Sequence, residues 1–382
     1  MGTRADLRTR VQGELFVVHL LKRTYEWREY GRCRLSDEQE PLHERQPLHA
    51  RSASGEAPPP AGDVDFIALR PGVDVVVQGA AYTVSARQTE SSVSVEGPAL
   101  RRTLRVIGDR VAEMTADGCI RFSAPRPFRR MPVRYDRAYG GHDAQALARY
   151  GDSAREVLRP PVGAREPTTR FHYPRNPSGT GFVVEPTRAA VDGRRLPNLE
   201  FPDDPLTPAR LACGHMDRWP LAPLPAGLDW YGLFWFPRSA YLGMIPRHAP
   251  LDRPLPEVRA RVASEDLLAI RPPWASRLDP RAEYAQGASP GMTLATLRAD
   301  ASFRLRGFFP DRTEWVVRLP GEVPRVAAVP SGRRAPPVEP RLNSVVFQPE
   351  RRRMTLTWAA LVPADAAPGG EARVEWESLH VH

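Results

Sequence analysis

Residues 354–358 read Met-Thr-Leu-Thr-Trp, and residues 303–306 read Phe-Arg-Leu-Arg. In both stretches apolar and polar side chains alternate with a period of two, which is the spacing of a β-strand that buries one face. Strands of this kind are typical of antiparallel sheets that leave their other face in water. The two stretches therefore predict a mostly β fold.

Further runs along the chain predict more strands. A continuous apolar run at residues 15–21 suits a central strand, and shorter runs lie at residues 73–77, 93–95, 104–107, 303–308, 315–319 and 373–377. The 42 prolines among 382 residues are spread between these runs, where they mark turns. We therefore expect antiparallel sheets of the sandwich or barrel-like type, with strands from both ends of the chain.

Helical signals are few. Residues 143–158 begin with an aspartate that can cap a helix and continue with strong helix formers, and residues 207–212 begin with Thr-Pro, a typical cap and first turn. Runs rich in proline and glycine at residues 55–62, 330–340 and 363–370 predict loops. The sequence thus favours one or two short helical insertions and several Pro-rich loops.

Composition divides the chain near residue 255. Residues 1–255 predict a β body that contains the motifs described below, and residues 256–382 combine a Pro- and Arg-rich linker with C-terminal strands. Because strands from both ends are expected to contribute to the sheets, we expect the two parts to pack as one continuous unit.

The charge of the chain comes almost entirely from arginine. There are 54 basic and 45 acidic residues, a net charge of +9, and Lys22 is the only lysine, which genome composition explains most simply. A basic balance permits phosphate contacts, but the arginines are dispersed and only residues 351–353 form a compact basic run. We therefore do not expect a nucleic-acid partner, and an acidic protein partner fits at least as well.

Cysteine usage and hydropathy indicate the compartment. Cys33, Cys119 and Cys213 are odd in number and far apart, which indicates no disulfide framework and a reducing compartment. The N-terminal residues lack the pattern of a signal peptide. The longest aromatic and apolar run, residues 228–236, contains Asp229 and is too short to span a bilayer. We expect a cytoplasmic protein without membrane contact.

Catalytic and cofactor motifs are incomplete. Cys213 and His215 have metal-ligand spacing but lack a second half-site, so we expect no metal. Gly287-Ala288-Ser289-Pro290-Gly291 matches the hydrolase elbow, but Pro290 has no N–H to donate to an oxyanion. Phosphate-loop and dinucleotide patterns also fail. We therefore expect no catalytic residue and no cofactor, although a hydrolase with carboxylates dispersed along the chain stays open as an alternative.

Residues 171–182 read Phe-His-Tyr-Pro-Arg-Asn-Pro-Ser-Gly-Thr-Gly-Phe. The two prolines fix φ and remove donors, and the two glycines permit positive φ, so the segment is a rigid loop that presents a surface or locks a junction. Asn176 precedes a proline, which favours an extended backbone, and we expect its side chain to bond local backbone.

Two other segments accompany this loop: residues 135–141, Tyr-Asp-Arg-Ala-Tyr-Gly-Gly, and residues 196–200, Leu-Pro-Asn-Leu-Glu. The three segments, in this order, resemble the motifs of a bacterial family whose genes lie beside those for type VI secretion spike and PAAR-tip proteins. Residues 22–25, 38–42, 70–75 and 106–110 extend the resemblance, which is dense from about residue 14 to 202 and thin beyond 260. Arg23 and Arg70 depart from the family's glycine and lysine.

The resemblance implies a non-enzymatic adaptor or chaperone that helps to load an effector or a PAAR-tip protein onto the spike. For such an adaptor we expect the Pro-rich loop to supply part of the contact with the partner, with Tyr173 and Phe182 as aromatic anchors. The predicted partner-binding residues are Tyr139, Gly140, Gly141, Tyr173, Asn176, Gly179, Gly181, Phe182 and Asn198. A structural component that leaves with the spike is a third interpretation. The aromatic cluster at residues 230–236 is expected in the core, with an exposed anchor patch as its alternative.

Overall fold

A computed structural model shows a protein built mainly of β-strands. The structure describes residues 2–11, 14–29, 33–50, 57–67, 70–150, 172–214, 216–233, 235, 238, 286–328, 338–364 and 372–378. No helix among these residues is long and apolar enough to cross a membrane.

The strands follow one another along the whole chain in the order β1 (Thr3–Val11), β2 (Glu14–Trp27), β3 (Cys33–Leu35), β4 (Val73–Val77), β5 (Ala80–Tyr82), β6 (Glu90–Gly97), β7 (Leu100–Ile107), β8 (Val111–Met114), β9 (Ile120–Phe122), β10 (Arg130–Pro132), β11 (Tyr139–Gly140), β12 (Thr180–Gly181), β13 (Arg194–Arg195), β14 (Leu199–Glu200), β15 (Thr293–Leu294), β16 (Ser302–Arg306), β17 (Glu314–Arg318), β18 (Glu322–Ala328), β19 (Arg341–Gln348), β20 (Arg353–Pro363) and β21 (Ala372–Ser378). The helical elements are short: α1 (Ala144–Tyr150), α2 (Arg188–Val191) and the 3-10 turns Tyr135–Arg137, Pro208–Arg210, Met216–Leu221 and Pro349–Arg351.

The largest sheet has seven strands and joins both ends of the chain. Its strands lie in the order β1-β2-β20-β19-β4-β15, and β3 also pairs with β2. The pairing of β19 with β4 is parallel and the other pairings are antiparallel. The run at residues 15–21 lies in β2, which has β1 on one side and β20 on the other, so its prediction as a central strand is confirmed.

A five-stranded antiparallel sheet, β14-β7-β6-β16-β17, shares its core with the large sheet. Trp27 and Phe347 of the large sheet meet Trp315 and Phe303 of the five-stranded sheet, with ring centroids 6.4 Å apart for Trp27–Trp315 and 5.1 Å apart for Phe303–Phe347. Phe303 and Leu305 are buried while Arg304 and Arg306 are exposed, as the period of two predicts. The mostly β fold is confirmed, and no sheet among the described residues closes into a barrel.

The helix predicted at residues 143–158 forms in its described part, whereas the segment predicted at residues 207–212 forms no α-helix. The helix predicted at residues 143–158 begins at Ala144, after Asp143 accepts hydrogen bonds from the N–H groups of Gln145 and Ala146 (3.1 and 3.0 Å); residues 151–158 lie outside the described residues. The segment at 207–212 makes only the 3-10 turn Pro208–Arg210. The proposed division at residue 255 and most of the loops at 330–340 and 363–370 also lie outside the described part of the chain.

A candidate partner-binding cleft

The three motif segments, far apart in sequence, meet in one place. β11 from the first segment pairs in parallel with β12 from the second, so that Tyr139 lies beside Thr180 and Gly140 beside Gly181. The third segment joins through a bridge between Ala138 and Leu199. We call this assembly of residues 135–141, 172–182 and 196–200 the motif junction.

Asn176 ties the first two segments together from the inside. Its Nδ2 donates to the carbonyl oxygens of Tyr135 (2.8 Å) and Tyr139 (3.1 Å), and its own carbonyl accepts from the N–H of Gly141 (2.9 Å) and of Gly179 (3.2 Å). The side chain is fully buried. The prediction that it bonds backbone is correct, but the backbone belongs to a distant segment and not to its own turn.

Asn198 performs the same task for the third segment. Its Nδ2 donates to the carbonyl oxygen of Ile107 (2.9 Å) and to Oδ1 of Asp109 (3.1 Å), and its Oδ1 accepts from Nη1 of Arg137 (3.2 Å). Its backbone N–H donates to the carbonyl of Arg137 (2.8 Å). The buried asparagine therefore links β7 to the turn that precedes β11.

The glycines of the junction allow backbones to approach closely. A Cβ at Gly140, where φ is +150°, would lie 2.1 Å from the carbonyl oxygen of Asn176. A Cβ at Gly179 would lie 2.5 Å from Nδ2 of Asn176 and 2.7 Å from the carbonyl oxygen of Ala138. These two positions thus require glycine because the space for a side chain is already filled. Gly141 and Gly181 are buried beside them.

The predicted aromatic anchors lie in the core. Tyr139, Tyr173 and Phe182 are buried together, with ring centroids 5.2 Å apart for Tyr139–Tyr173 and 5.4 Å apart for Tyr173–Phe182. The hydroxyl of Tyr173 donates to the carbonyl of Pro223 (2.9 Å). These rings are therefore not exposed to a partner in this structure, and they fix the shape of the junction from below.

A cleft of about 530 Å³ opens on the outer side of the motif junction. The junction lines it with Asp136, Arg137, Ser178, Gly179, Thr180 and Asn198, and the segment from α2 to β13 lines it with Ala189, Ala190, Asp192, Gly193, Arg194 and Arg195. Of the nine predicted site residues, Gly179 and Asn198 therefore face the cleft, and the others support it. Three lining residues were not predicted from the sequence: Ser178, which lies in the Pro-rich motif, and Arg194-Arg195, the basic pair just before the Leu-Pro-Asn motif.

The chain matches a family model over residues 12–359, and the family is described as an uncharacterized protein conserved in bacteria (DUF2169). The chain belongs to this family. The motif junction and the cleft lie entirely inside the region of this DUF2169 chain that matches. None of the curated proteins and none of the solved structures matches it.

Positive charge predominates in the cleft of the DUF2169 chain. Asp136 is held by Arg134, with Nη2 and Oδ2 2.7 Å apart, and Asp192 by Arg188 at 3.3 Å. Both carboxylates are therefore already neutralised. Arg194 is fixed by hydrogen bonds from its Nε to the carbonyl of Ala190 (3.1 Å) and from its Nη1 to the carbonyl of His142 (3.3 Å).

Two further cleft residues have unused hydrogen-bonding capacity. Arg195 is exposed, and its guanidinium makes no hydrogen bond or ion pair within the described structure. Ser178 is 1% exposed, and its Oγ has no hydrogen-bond partner there. A buried hydroxyl without a partner is costly, so Ser178 marks a position where a ligand atom would be favourable.

Neither of the described carboxyl groups whose pKa values are raised lines this cleft. Burial raises the pKa of Asp229 to about 7, although its Oδ1 accepts from the N–H of Trp230 (2.7 Å) and from Nε2 of Gln78 (3.0 Å). Burial also raises the pKa of Glu200, against the effect of Arg110. Both side chains are in the interior, and their bonds to neighbouring elements indicate a structural role.

A buried cluster elsewhere in the protein contains two arginines and two aspartates, whose opposite charges pair with one another. Asp63 receives both Nη atoms of Arg238 (3.0 and 2.7 Å) and one of Arg70 (2.6 Å), and Arg70 also contacts Asp74 (2.5 Å). Burial opposes ionisation of Asp63, but the two guanidinium groups hold its pKa below the usual value. Such a closed network connects loops to β4 and offers no unpaired charge for a ligand.

Two further predictions from the sequence concern the aromatic cluster at residues 230–236 and the absence of a metal site. Trp230, Tyr231 and Trp235 are buried, which favours the core interpretation of that aromatic cluster, while Phe234 and Phe236 lie outside the described residues. Cys213 is half-buried, His215 lies outside the described residues, and no group of three or more metal-ligating side chains occurs among the residues that the structure describes.

Proposed function

We propose that this DUF2169 protein is a non-enzymatic adaptor that binds an effector or a PAAR-tip protein and helps to load it onto a type VI secretion spike. The type VI assignment rests on the resemblance of the motifs. The observation that supports the binding role is that three motifs, far apart in sequence, pack together in the motif junction. The cleft on the outer side of this junction is lined by Arg137, Arg194 and Arg195.

The hydrogen bonds that hold the motif junction together suit a binding surface. Asn176 and Asn198 each make three or more hydrogen bonds that hold neighbouring segments in place. A surface that is rigid before binding loses little conformational entropy when the partner arrives, and this raises affinity. The motif residues therefore contribute by preorganising the cleft.

The carboxylates of the cleft do not suit the hydrolase alternative. Glycoside hydrolysis uses a pair of carboxyl groups, one of which must hold a proton near neutral pH. Asp136 and Asp192 each form an ion pair with an arginine, at 2.7 and 3.3 Å, so neither is a free carboxyl group available to form such a pair. Asp229 and Glu200, whose pKa values are raised, are buried and do not line the cleft.

Co-expression with the products of neighbouring genes tests the proposal. The tagged protein should co-purify with an effector or PAAR-tip protein, without turnover of the partner, and the complex should weaken with added salt because exposed ion pairs are screened over about 8 Å at physiological ionic strength. Failure to associate with any neighbouring product, together with normal effector delivery after gene deletion, would refute the adaptor role. Recovery of the protein in the secreted fraction would instead favour a structural component of the particle.

A further inference from the structure

We propose that the cleft binds an acidic segment of the partner protein, and that Arg195, Arg137 and Ser178 contact its carboxylate groups directly. This inference rests on the proposed adaptor function and specifies its ligand. The ligand chemistry is a carboxylate on an extended peptide, supplied either by Asp and Glu side chains or by a free C-terminus.

Two arginines of the cleft have N–H donors that are not used within the described structure. Arg195 has no partner within the described structure, and Arg137 uses only Nη1, which lies 3.3 Å from Oδ1 of Asp109 and 3.2 Å from Oδ1 of Asn198. A guanidinium group has five N–H donors in a planar fork that matches a carboxylate. The remaining donors of Arg137 and all those of Arg195 are therefore available to a ligand.

Ser178 supports the inference separately, because it offers a hydrogen-bond donor and not a charge. Ser178 lines the cleft, and its buried Oγ has no hydrogen-bond partner among the described residues. A carboxylate oxygen entering the cleft would accept the hydrogen bond from this hydroxyl and remove the cost of leaving it unpaired.

Size and lining decide between ligand classes. A cleft of about 530 Å³ admits a few residues of extended peptide and not a folded domain. Single-stranded nucleic acid is usually held by aromatic side chains on which the bases stack, and none of the residues that line the cleft is aromatic. A short acidic peptide fits better.

The test uses the full chain and fluorescein-labelled synthetic peptides. The probes are a peptide rich in Asp and Glu with an amidated C-terminus, the same peptide with a free C-terminus, the matching Asn and Gln peptide, and a single-stranded oligonucleotide. Binding is followed by fluorescence anisotropy at low and physiological salt. Arg195→Ala and Ser178→Ala are compared with Arg87→Ala, which removes an exposed arginine that is also unpaired but lies outside the cleft.

We expect the acidic peptide to bind and the Asn and Gln peptide not to bind. Arg195→Ala and Ser178→Ala should each weaken binding by at least about tenfold, the lower end of the range for a lost hydrogen bond to a charged group, while Arg87→Ala changes affinity by less than about twofold. Equal binding of the amidated and free peptides assigns the contact to side-chain carboxylates, and binding only of the free form assigns it to a C-terminus.

Three results would overturn the inference: no binding of either acidic peptide, equal losses for Arg87→Ala and Arg195→Ala, or tighter binding of the oligonucleotide. The adaptor function is judged separately by co-purification of the full partner. If the partner co-purifies with the Arg195→Ala and Ser178→Ala proteins as well as with the wild type, the adaptor role stands and the cleft is not its contact. If the peptides bind as expected but no partner co-purifies, the cleft chemistry stands and the adaptor role fails.

Discussion

Replacement of Asn176 by alanine should destabilise the protein strongly, although the residue lies in a loop. The substitution removes the donor that serves the carbonyls of Tyr135 and Tyr139 at 2.8 and 3.1 Å. Tyr135 keeps a hydrogen bond from the N–H of Ala138 (3.1 Å), so the loss falls mainly on Tyr139. Because the site is fully buried, water cannot simply replace the lost donor.

The magnitude follows from these contacts. Two hydrogen bonds contribute about 0.5–1.5 kcal/mol each, and a buried carbonyl left without a donor costs about 1–3 kcal/mol. Removal of Oδ1, which has no partner in the described structure, returns part of this. We expect Asn176→Ala to lower the free energy of unfolding by about 2–4 kcal/mol. Asn176→Asp should cost more at neutral pH, since it would direct a carboxylate at two carbonyl oxygens.

Ser178→Ala is the matched control in the same loop. Ser178 is as deeply buried as Asn176, but its hydroxyl has no partner among the described residues. Removal of an unpaired buried hydroxyl should leave stability unchanged or raise it by up to about 1 kcal/mol. Urea unfolding followed by circular dichroism gives both changes, and amide hydrogen exchange at Thr180 and Phe182 shows whether the junction itself opens. A loss below about 0.5 kcal/mol for Asn176→Ala, or an equal loss for Ser178→Ala, would refute the reasoning.

Three other predictions concern the backbone, pH and metal. Gly140→Ala should prevent folding or cost more than about 3 kcal/mol, because its Cβ would lie 2.1 Å from a carbonyl oxygen, whereas Gly118→Ala, at φ +82° with nothing nearby, should cost about 1–2 kcal/mol in thermal unfolding; similar losses would contradict the packing argument. Asp229 has a folded-state pKa of about 7, above that of the unfolded chain, so the native state holds the extra proton and stability should fall as pH rises from about 4 to 7 and then level off. Asp229→Asn should flatten this part of the stability curve, and an unchanged slope would show that another group is responsible. Cys213 and His215 lack a complementary half-site, so elemental analysis of the purified protein should find no stoichiometric zinc that survives chelation.

The strands that alternate were predictable because their information is local. β16 shows its buried face in a few consecutive residues, and residues 15–21 show a central strand by continuous apolarity. β20 was also predicted as a strand, but the expectation that it leaves one face in water was wrong, because Thr355 and Thr357 are buried like the apolar residues between them. β1 was missed because charged residues recur along it, as at Arg4, Asp6 and Arg8. β19 was missed because its buried residues form one short run without alternation. Its parallel pairing with β4, which places Ser344 beside Asp74, joins segments far apart in the sequence, and no local pattern reveals such a pairing.

The motif junction shows the same limit at the site. The prolines and glycines of residues 172–182 identify a rigid segment by themselves, since their effect on φ needs no neighbour. The sequence cannot show that Nδ2 of Asn176 reaches carbonyls 37 and 41 residues upstream, or that Tyr173 and Phe182 face the core instead of a partner. It also cannot show that Ser178 and Arg195 line one cleft. Backbone preference is a property of each residue, but hydrogen-bond partners, burial and the lining of a cleft are set only when distant segments pack together.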